Sequence, residues 1–154
     1  MSRARWVRAL FIFLLAAGFS AAVQAAERFH TTALGNAAVG GYDAVAYFTE
    51  GKPLKGLRKF TFRWQGANWR FASMQNMDLF KSNPEKYAPR YGGHCAWAVS
   101  ARKMLYRGNP RSWQIVDGAL YLNHNPSVEK RWLDDVSGHI QKADTVWDEL
   151  NEDR

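Results

Sequence analysis

The sequence holds one cysteine, Cys95, among 154 residues. A single thiol excludes an intramolecular disulfide framework and a zinc site built from several cysteines. No C-x-x-C, H-x-x-x-H, H-E-x-x-H or G-x-S-x-G occurs, so the common redox, zinc and serine-hydrolase signatures are missing. Gly92-Gly93 is too short to cradle a phosphate. There is no internal repeat, collagen period or coiled-coil heptad. Acid is scarce in the middle, where residues 51–116 carry 13 bases against Asp78 and Glu85 alone. What the chain does have is apolar and aromatic content, 47% and 14%, too much for a disordered polymer and enough for one dense core. Its length predicts one domain.

The N-terminus reads as an address. Residues 1–8 carry Arg3, Arg5 and Arg8 and no acid, and residues 9–19 are an uninterrupted apolar run of 11. Small residues follow, with Val23-Gln24-Ala25 as a cleavage site. Basic, apolar, then small is the order of a signal peptide, assigned to residues 1–25. A retained anchor is the competing reading, but a membrane-spanning helix needs about 20 residues. The arginines are not adjacent, so the twin-arginine route is not indicated, and no cysteine follows the run to take a lipid. Removing residues 1–25 loses three bases and takes the formal charge from +7 to +4. The expected location is periplasmic or secreted. The expected partner is a metal ion or small ligand, or else a periplasmic protein. Nucleic acid is not expected, and membrane contact is expected only through the signal peptide before cleavage. The remaining charge splits into the basic middle and an acidic end, residues 117–154, with nine acids against four bases. These are solvated faces that complement one another, or else the middle is a basic face for an anionic ligand or membrane headgroups.

Residues 26–39 show no period and are expected to be an extended lead-in. Asp43 can cap a short helix over residues 44–49. Phe60, Phe62 and Trp64 alternate with polar residues, and after Gln65-Gly66-Ala67 so do Trp69 and Phe71, which predicts a β-hairpin with one aromatic face. Ser73 is placed to cap a helix bearing Met74, Met77 and Phe80, which ends at Asn83-Pro84. Gly92-Gly93 breaks the chain before a short helix over residues 94–104. Asp117-Gly118 closes a second hairpin, with Trp113 opposite Leu122 and Ile115 opposite Leu120 as its buried face. Asn125-Pro126 starts a helix with Val128, Trp132, Leu133 and Val136 as its stripe. Ser137-Gly138 interrupts it, and Ile140, Ala143, Trp147 and Leu150 predict a last helix. The expected fold is α+β, a small antiparallel sheet from two β-hairpins covered by helices, over residues 40–150, with 151–154 as a tail.

Four blocks in order carry a resemblance. They are Gly41-Tyr42-Asp43-Ala44-Val45-Ala46-Tyr47-Phe48, then residues 64–73, then Asn83-Pro84-Glu85-Lys86-Tyr87 leading into Tyr91-Gly92-Gly93-His94-Cys95-Ala96-Trp97, then residues 113–123. Together they resemble the exported, single-domain branch of the YHS domain family. The resemblance implies a treble-clef-like YHS core, like the metal-binding modules attached to copper-transporting ATPases. In those relatives an Asp-Pro-Val-Cys segment and a Phe-Cys-Ser-x-x-Cys segment supply thiolates. Here Ala46, Ala72 and Asn76 stand where those cysteines would be, so the thiolate chemistry does not carry over.

Cys95 is left as the thiol to weigh. It is either a small buried apolar residue or a soft ligand for copper or another thiophilic ion. As a ligand it needs partners, for which His94 and Asp43 are the candidates. His94 can share an ion with Cys95 only if the glycine break leaves it outside the helix, since helical neighbours point about 100° apart. Asp43 has its alternative role as a cap. A catalytic thiol would need a base such as His124 and a third group to orient it. His30 and His139 fit no pattern. The expected function is therefore non-catalytic metal binding or handling at Cys95, His94 and Asp43. A small-ligand or protein-binding module with a structural Cys95 is the alternative, with Tyr42, Tyr47, Tyr87, Tyr91 and Trp97 around the glycines. A thiol-dependent enzyme is the third reading.

Overall fold

The computed structural model describes residues 28–152. The expected signal peptide, residues 1–25, lies outside the described residues. The elements in order are α1 (Ala46–Thr49), β1 (Leu57–Trp64), β2 (Ala67–Phe71), α2 (Met74–Ser82), α3 (Pro84–Tyr87), α4 (Ala96–Arg102), β3 (Asn109–Val116), β4 (Ala119–Asn123), α5 (Pro126–Leu133) and α6 (Val136–Glu152). The fold is α+β. No helix among the described residues is long and apolar enough to cross a membrane.

Both hairpins form where the alternation and turns predict them. Gln65 and Gly66 take φ of +43° and +78°, and Asp117 and Gly118 take +49° and +75°, the twist that suits two-residue turns. Trp64 pairs with Ala67, so the first turn is one residue shorter than the sequence suggests. In the second, Trp113 faces Leu122 and Ile115 faces Leu120 as expected. The hairpins do not join into one sheet, however. They remain two separate two-stranded sheets. The free edges are met by single bridges instead: Asn68 of β2 with Ala37, and Leu122 of β4 with Cys95. Those bridges occupy backbone groups that a third strand would need.

Strand β4 divides the interior. Leu120 and Leu122 enter a core that holds Phe29, Tyr47, Trp69, Phe71 and Phe80. Tyr121, on the opposite face, enters a second core with Tyr91, Val99, Trp132 and Ala143, between α4, α5 and α6. The two-residue period of a strand puts alternate side chains into the two cores. The four-residue buried face expected for this hairpin is therefore only half of what it buries.

Residues expected to be an extended lead-in are bound into the fold. Thr31 bridges Ala38, and Phe29, Ala37, Ala38 and Val39 are buried. The Phe29 ring stands edge-on to Trp69 with centroids 4.9 Å apart. Three helix details also differ. Met74 and Leu133 are exposed, because Phe80 and Trp132 carry the burial of α2 and α5. Ser137-Gly138 does not interrupt a helix but lies in the first turn of α6, where the Gly138 N–H donates to Asp135 Oδ1 at 3.0 Å.

Candidate functional site

Asp43 is buried completely, and its carboxylate is the centre of a hydrogen-bond hub. Oδ1 accepts from the N–H groups of Val45 at 2.8 Å and Ala46 at 3.2 Å. Oδ2 accepts from the Ala72 N–H at 2.8 Å and from Asn76 Nδ2 at 2.7 Å. Two of these bonds start α1, as the capping reading predicts. The other two reach across to the end of β2 and the first turn of α2, a tie that the local sequence does not reveal. Ser73 caps α2 by accepting from the Asn76 N–H at 3.1 Å, which also fixes where the Asn76 side chain stands.

His94 and Cys95 lie before the first residue of α4, both with extended backbone. The glycine break therefore does leave His94 outside the helix. Each is 1% exposed. His94 Nδ1 lies 2.8 Å from the Tyr91 carbonyl oxygen, and its ring packs against those of His30 and Trp147. The Cys95 thiol faces Asn123 Oδ1 at 3.7 Å, and its backbone N–H donates to the Tyr106 carbonyl at 2.7 Å. Burial pushes the Cys95 thiol pKa up, outweighing the amides of Ala98, His124 and Trp97 that favour the thiolate. His124, the candidate base, has its Nδ1 3.2 Å from the Arg107 carbonyl and stacks edge-on to Tyr106. Its ring is engaged with the chain after α4, not with the thiol, so His124 does not serve Cys95 as a base.

A third place has the shape of a binding site. Tyr91 and Gly92 take φ of +53° and +59°, in the left-handed region. That conformation costs a non-glycine residue about 1–2 kcal/mol. A Cβ on Gly92 would lie 1.9 Å from the Arg28 carbonyl oxygen, and the His30 N–H donates to the Gly92 carbonyl at 2.8 Å. Residues 28–30 thus run directly over this turn. The Tyr91 hydroxyl donates to Asp144 Oδ1 at 2.9 Å, beside an Arg90–Asp144 ion pair at 3.2 Å. Burial, then the bond to Asp144, pushes the Tyr91 pKa up, so it remains a neutral donor. The result is a cleft of about 460 Å³ between the turn, the start of the described chain and α6. Phe29, Trp64, Tyr91 and Trp147 wall it, and Arg28, Glu85 and Asp148 stand at its rim. Of the aromatics singled out from sequence, Tyr91 lines the cleft. Tyr47 instead packs on Trp113 and donates to the Pro110 carbonyl at 2.7 Å. Trp97 has the guanidinium groups of Arg102 and Arg131 over its ring. The sequence reading missed Phe29, Trp64 and Trp147 as neighbours, because they are brought together only by tertiary packing. It also missed Ser100 Oγ, 2.8 Å from His139 Nδ1, which ties α4 to α6.

Residues 45–91 match the YHS domain. No curated protein and no solved structure matches the chain. The YHS segment contains Ala46, Ala72 and Asn76, the positions where the resemblance places thiolates in metal-binding relatives. The N–H groups of Ala46 and Ala72 and the Asn76 side-chain amide are three of the four donors that converge on Asp43, the fourth being the Val45 N–H. The YHS scaffold therefore does bring those three positions together, but around a carboxylate.

A metal held by Cys95, His94 and Asp43 does not fit this geometry. Among the described residues, no group of three or more His, Cys, Asp or Glu side chains is arranged to hold a metal ion. Asp43 is committed to four donors. Cys95 is buried, with its thiol facing Asn123 Oδ1 at 3.7 Å. All three residues lie outside the YHS match, which ends at Tyr91.

Proposed function

We propose that the chain is an exported, periplasmic or secreted, non-catalytic binding module, and that the cleft beside Tyr91 takes a small organic ligand. The observation that carries this reading is the Tyr91-Gly92 turn. Left-handed backbone at a non-glycine residue persists only where its surroundings enforce it, and such residues concentrate at ligand clamps. Here the turn opens onto a concave, aromatic-walled space with convergent polar groups, within the size range of small-molecule sites. The buried, inactivated thiol supports a structural Cys95 and gives the enzyme reading nothing to build on. A fragment screen on the isotope-labelled protein tests the proposal. Amide and indole shifts should cluster at Tyr91, Gly92, Trp64 and Trp147. Hits confined to other surfaces, or none at all, would sink it.

A second reading, handling of copper or another soft ion, is supported by the YHS match and not by the side-chain geometry. Titrating the reduced protein with Cu(I), Cu(II) and Zn(II), beside Cys95→Ser, decides it. Stoichiometric uptake that is lost in Cys95→Ser would favour this reading over the cleft. Equal uptake by both proteins would remove Cys95 from any site.

A further inference from the structure

Six large apolar side chains stand exposed among the described residues, and two of them, Met104 and Tyr106, share one short loop. That loop follows Arg102, the last residue of α4, and reads Lys103, Met104, Leu105, Tyr106, Arg107. Met104 and Tyr106 are 55% and 50% exposed, while Leu105 between them turns inward against the second core. The cations Arg102, Lys103 and Arg107 bracket these two tips and are themselves exposed. Arg131 of α5 joins them: its guanidinium and that of Arg102 both lie over the Trp97 ring, at 5.6 and 5.5 Å from its centroid. Neither ion pair among the described residues uses any of these four cations.

The loop is also held in shape. Lys103 takes a left-handed φ of +50° at the end of α4, and the N–H groups of Lys103 and Met104 donate back to the Val99 and Ala98 carbonyls. Such a helix stop satisfies the last free carbonyls and fixes the direction of exit. The Tyr106 carbonyl accepts from the Cys95 N–H at 2.7 Å, and the Tyr106 ring is braced edge-on by His124. Ordering costs on binding are therefore small.

We propose that this loop is a peripheral membrane contact that seats on an anionic lipid surface. Met104 and the Tyr106 ring enter the headgroup boundary, and Arg102, Lys103, Arg107 and Arg131 meet lipid phosphates. Positive charge specifies an anionic partner. Two exposed apolar side chains set among cations suit an interface where phosphates lie beside apolar chains. Tyrosine favours the membrane interface, and long basic side chains reach phosphates while their stems cover apolar surface. The basic face for membrane headgroups that the sequence left as an alternative is thus assigned to this loop. The contact is independent of the cleft.

Vesicle flotation tests it, with the full-length chain at low salt and vesicles of phosphatidylcholine alone or mixed with phosphatidylglycerol. Wild type and variants share the same N-terminal segment, so the difference between them isolates the loop. At about fivefold per cation, Arg102→Ala/Lys103→Ala/Arg107→Ala should partition into the anionic vesicles about 100-fold more weakly. Met104→Ser keeps every charge and removes a side chain that packs against neither core, and it should bind several-fold more weakly. Circular dichroism verifies that each variant is folded. Equal flotation of the triple variant and wild type overturns the proposal. So does an unchanged Met104→Ser, which would mean diffuse electrostatic adhesion. Binding to soluble polyglutamate with the same variant ranking and no vesicle binding would assign the loop to an acidic protein and overturn the membrane reading as well.

Discussion

Replacing Asp43 by Asn keeps the side-chain shape and removes the charge, and the hub makes the consequence calculable. Four donors point at the carboxylate, two at each oxygen. An asparagine offers one oxygen and one amino group, so whichever way it turns, two buried donors face another donor. A hydrogen bond to a charged group contributes about 1.5–3 kcal/mol. Losing two predicts about 3–6 kcal/mol, a large share of the roughly 5–15 kcal/mol that holds a domain folded. Urea unfolding followed by tryptophan fluorescence reads it directly. At a slope of about 2 kcal/mol per molar urea, the midpoint should drop by about 1.5–3 M with the slope unchanged. Asn76→Ala removes one donor and leaves the carboxylate in place, so it should cost less than Asp43→Asn. A chelator arm separates structure from metal. If the hub is structural, the wild-type midpoint is indifferent to chelator. The reasoning is refuted if Asp43→Asn unfolds within about 0.3 M of wild type, or if chelator alone reproduces its loss.

Three further outcomes are expected. Gly92→Ala should cost about 2–4 kcal/mol, from left-handed strain and displacement of residues 28–30, and a thermal melt matching wild type would refute the close approach at Arg28. Cys95 should react with an aromatic disulfide reagent at pH 8 at least about 100-fold more slowly in the native protein than in urea, since only the exposed thiolate reacts; rapid native labelling would return the thiol to the functional candidates. Stability should be full below about pH 10 and fall above it. Burial raises the pKa values of Tyr47, Tyr91 and Tyr121, so the folded chain keeps protons that the unfolded chain releases. Urea midpoints at pH 8 and pH 11 measure the fall, and Tyr91→Phe should lessen it.

What could be read from the sequence was what depends on neighbours along the chain. Both hairpins were legible because aromatic or aliphatic alternation flanks turns whose residues tolerate positive φ. The caps at Ser73 and Asn125 were legible because each bonds three residues ahead; the cap at Asn83 was read only as the end of the helix before it. Contacts closed over long separations left no such trace. Gly92 reads as a chain break, yet its lack of a Cβ is required by the Arg28 carbonyl, 64 positions earlier. Phe29 sits in a stretch without period because its partners in the core from that stretch, Ala38 and Val39, come nine and ten positions later. Tyr91 and Trp147 signal nothing to each other until α6 brings their rings to a centroid separation of 5.6 Å.

The hub also shows what stands at the positions where the YHS resemblance implies a thiolate site. A thiolate site places anions around a cation. At positions 46, 72 and 76 the polarity is reversed, with N–H donors pointing inward at a single carboxylate. A cation placed at that point would face the positive ends of those amides and would have to strip Asp43 from all four of its partners. Losing two of those partners already costs about 3–6 kcal/mol by the reckoning for Asp43→Asn. The donors at 46 and 72 are backbone N–H groups, and asparagine at 76 supplies the one side-chain donor. Asn76→Cys isolates this logic: it removes the amide donor, leaves three backbone donors and the carboxylate, and should lower stability by about 1–3 kcal/mol while Zn(II) and Cu(I) uptake stays at the wild-type level. Tight metal uptake by that single variant would show that the carboxylate is a latent ligand and not a substitute for the ion.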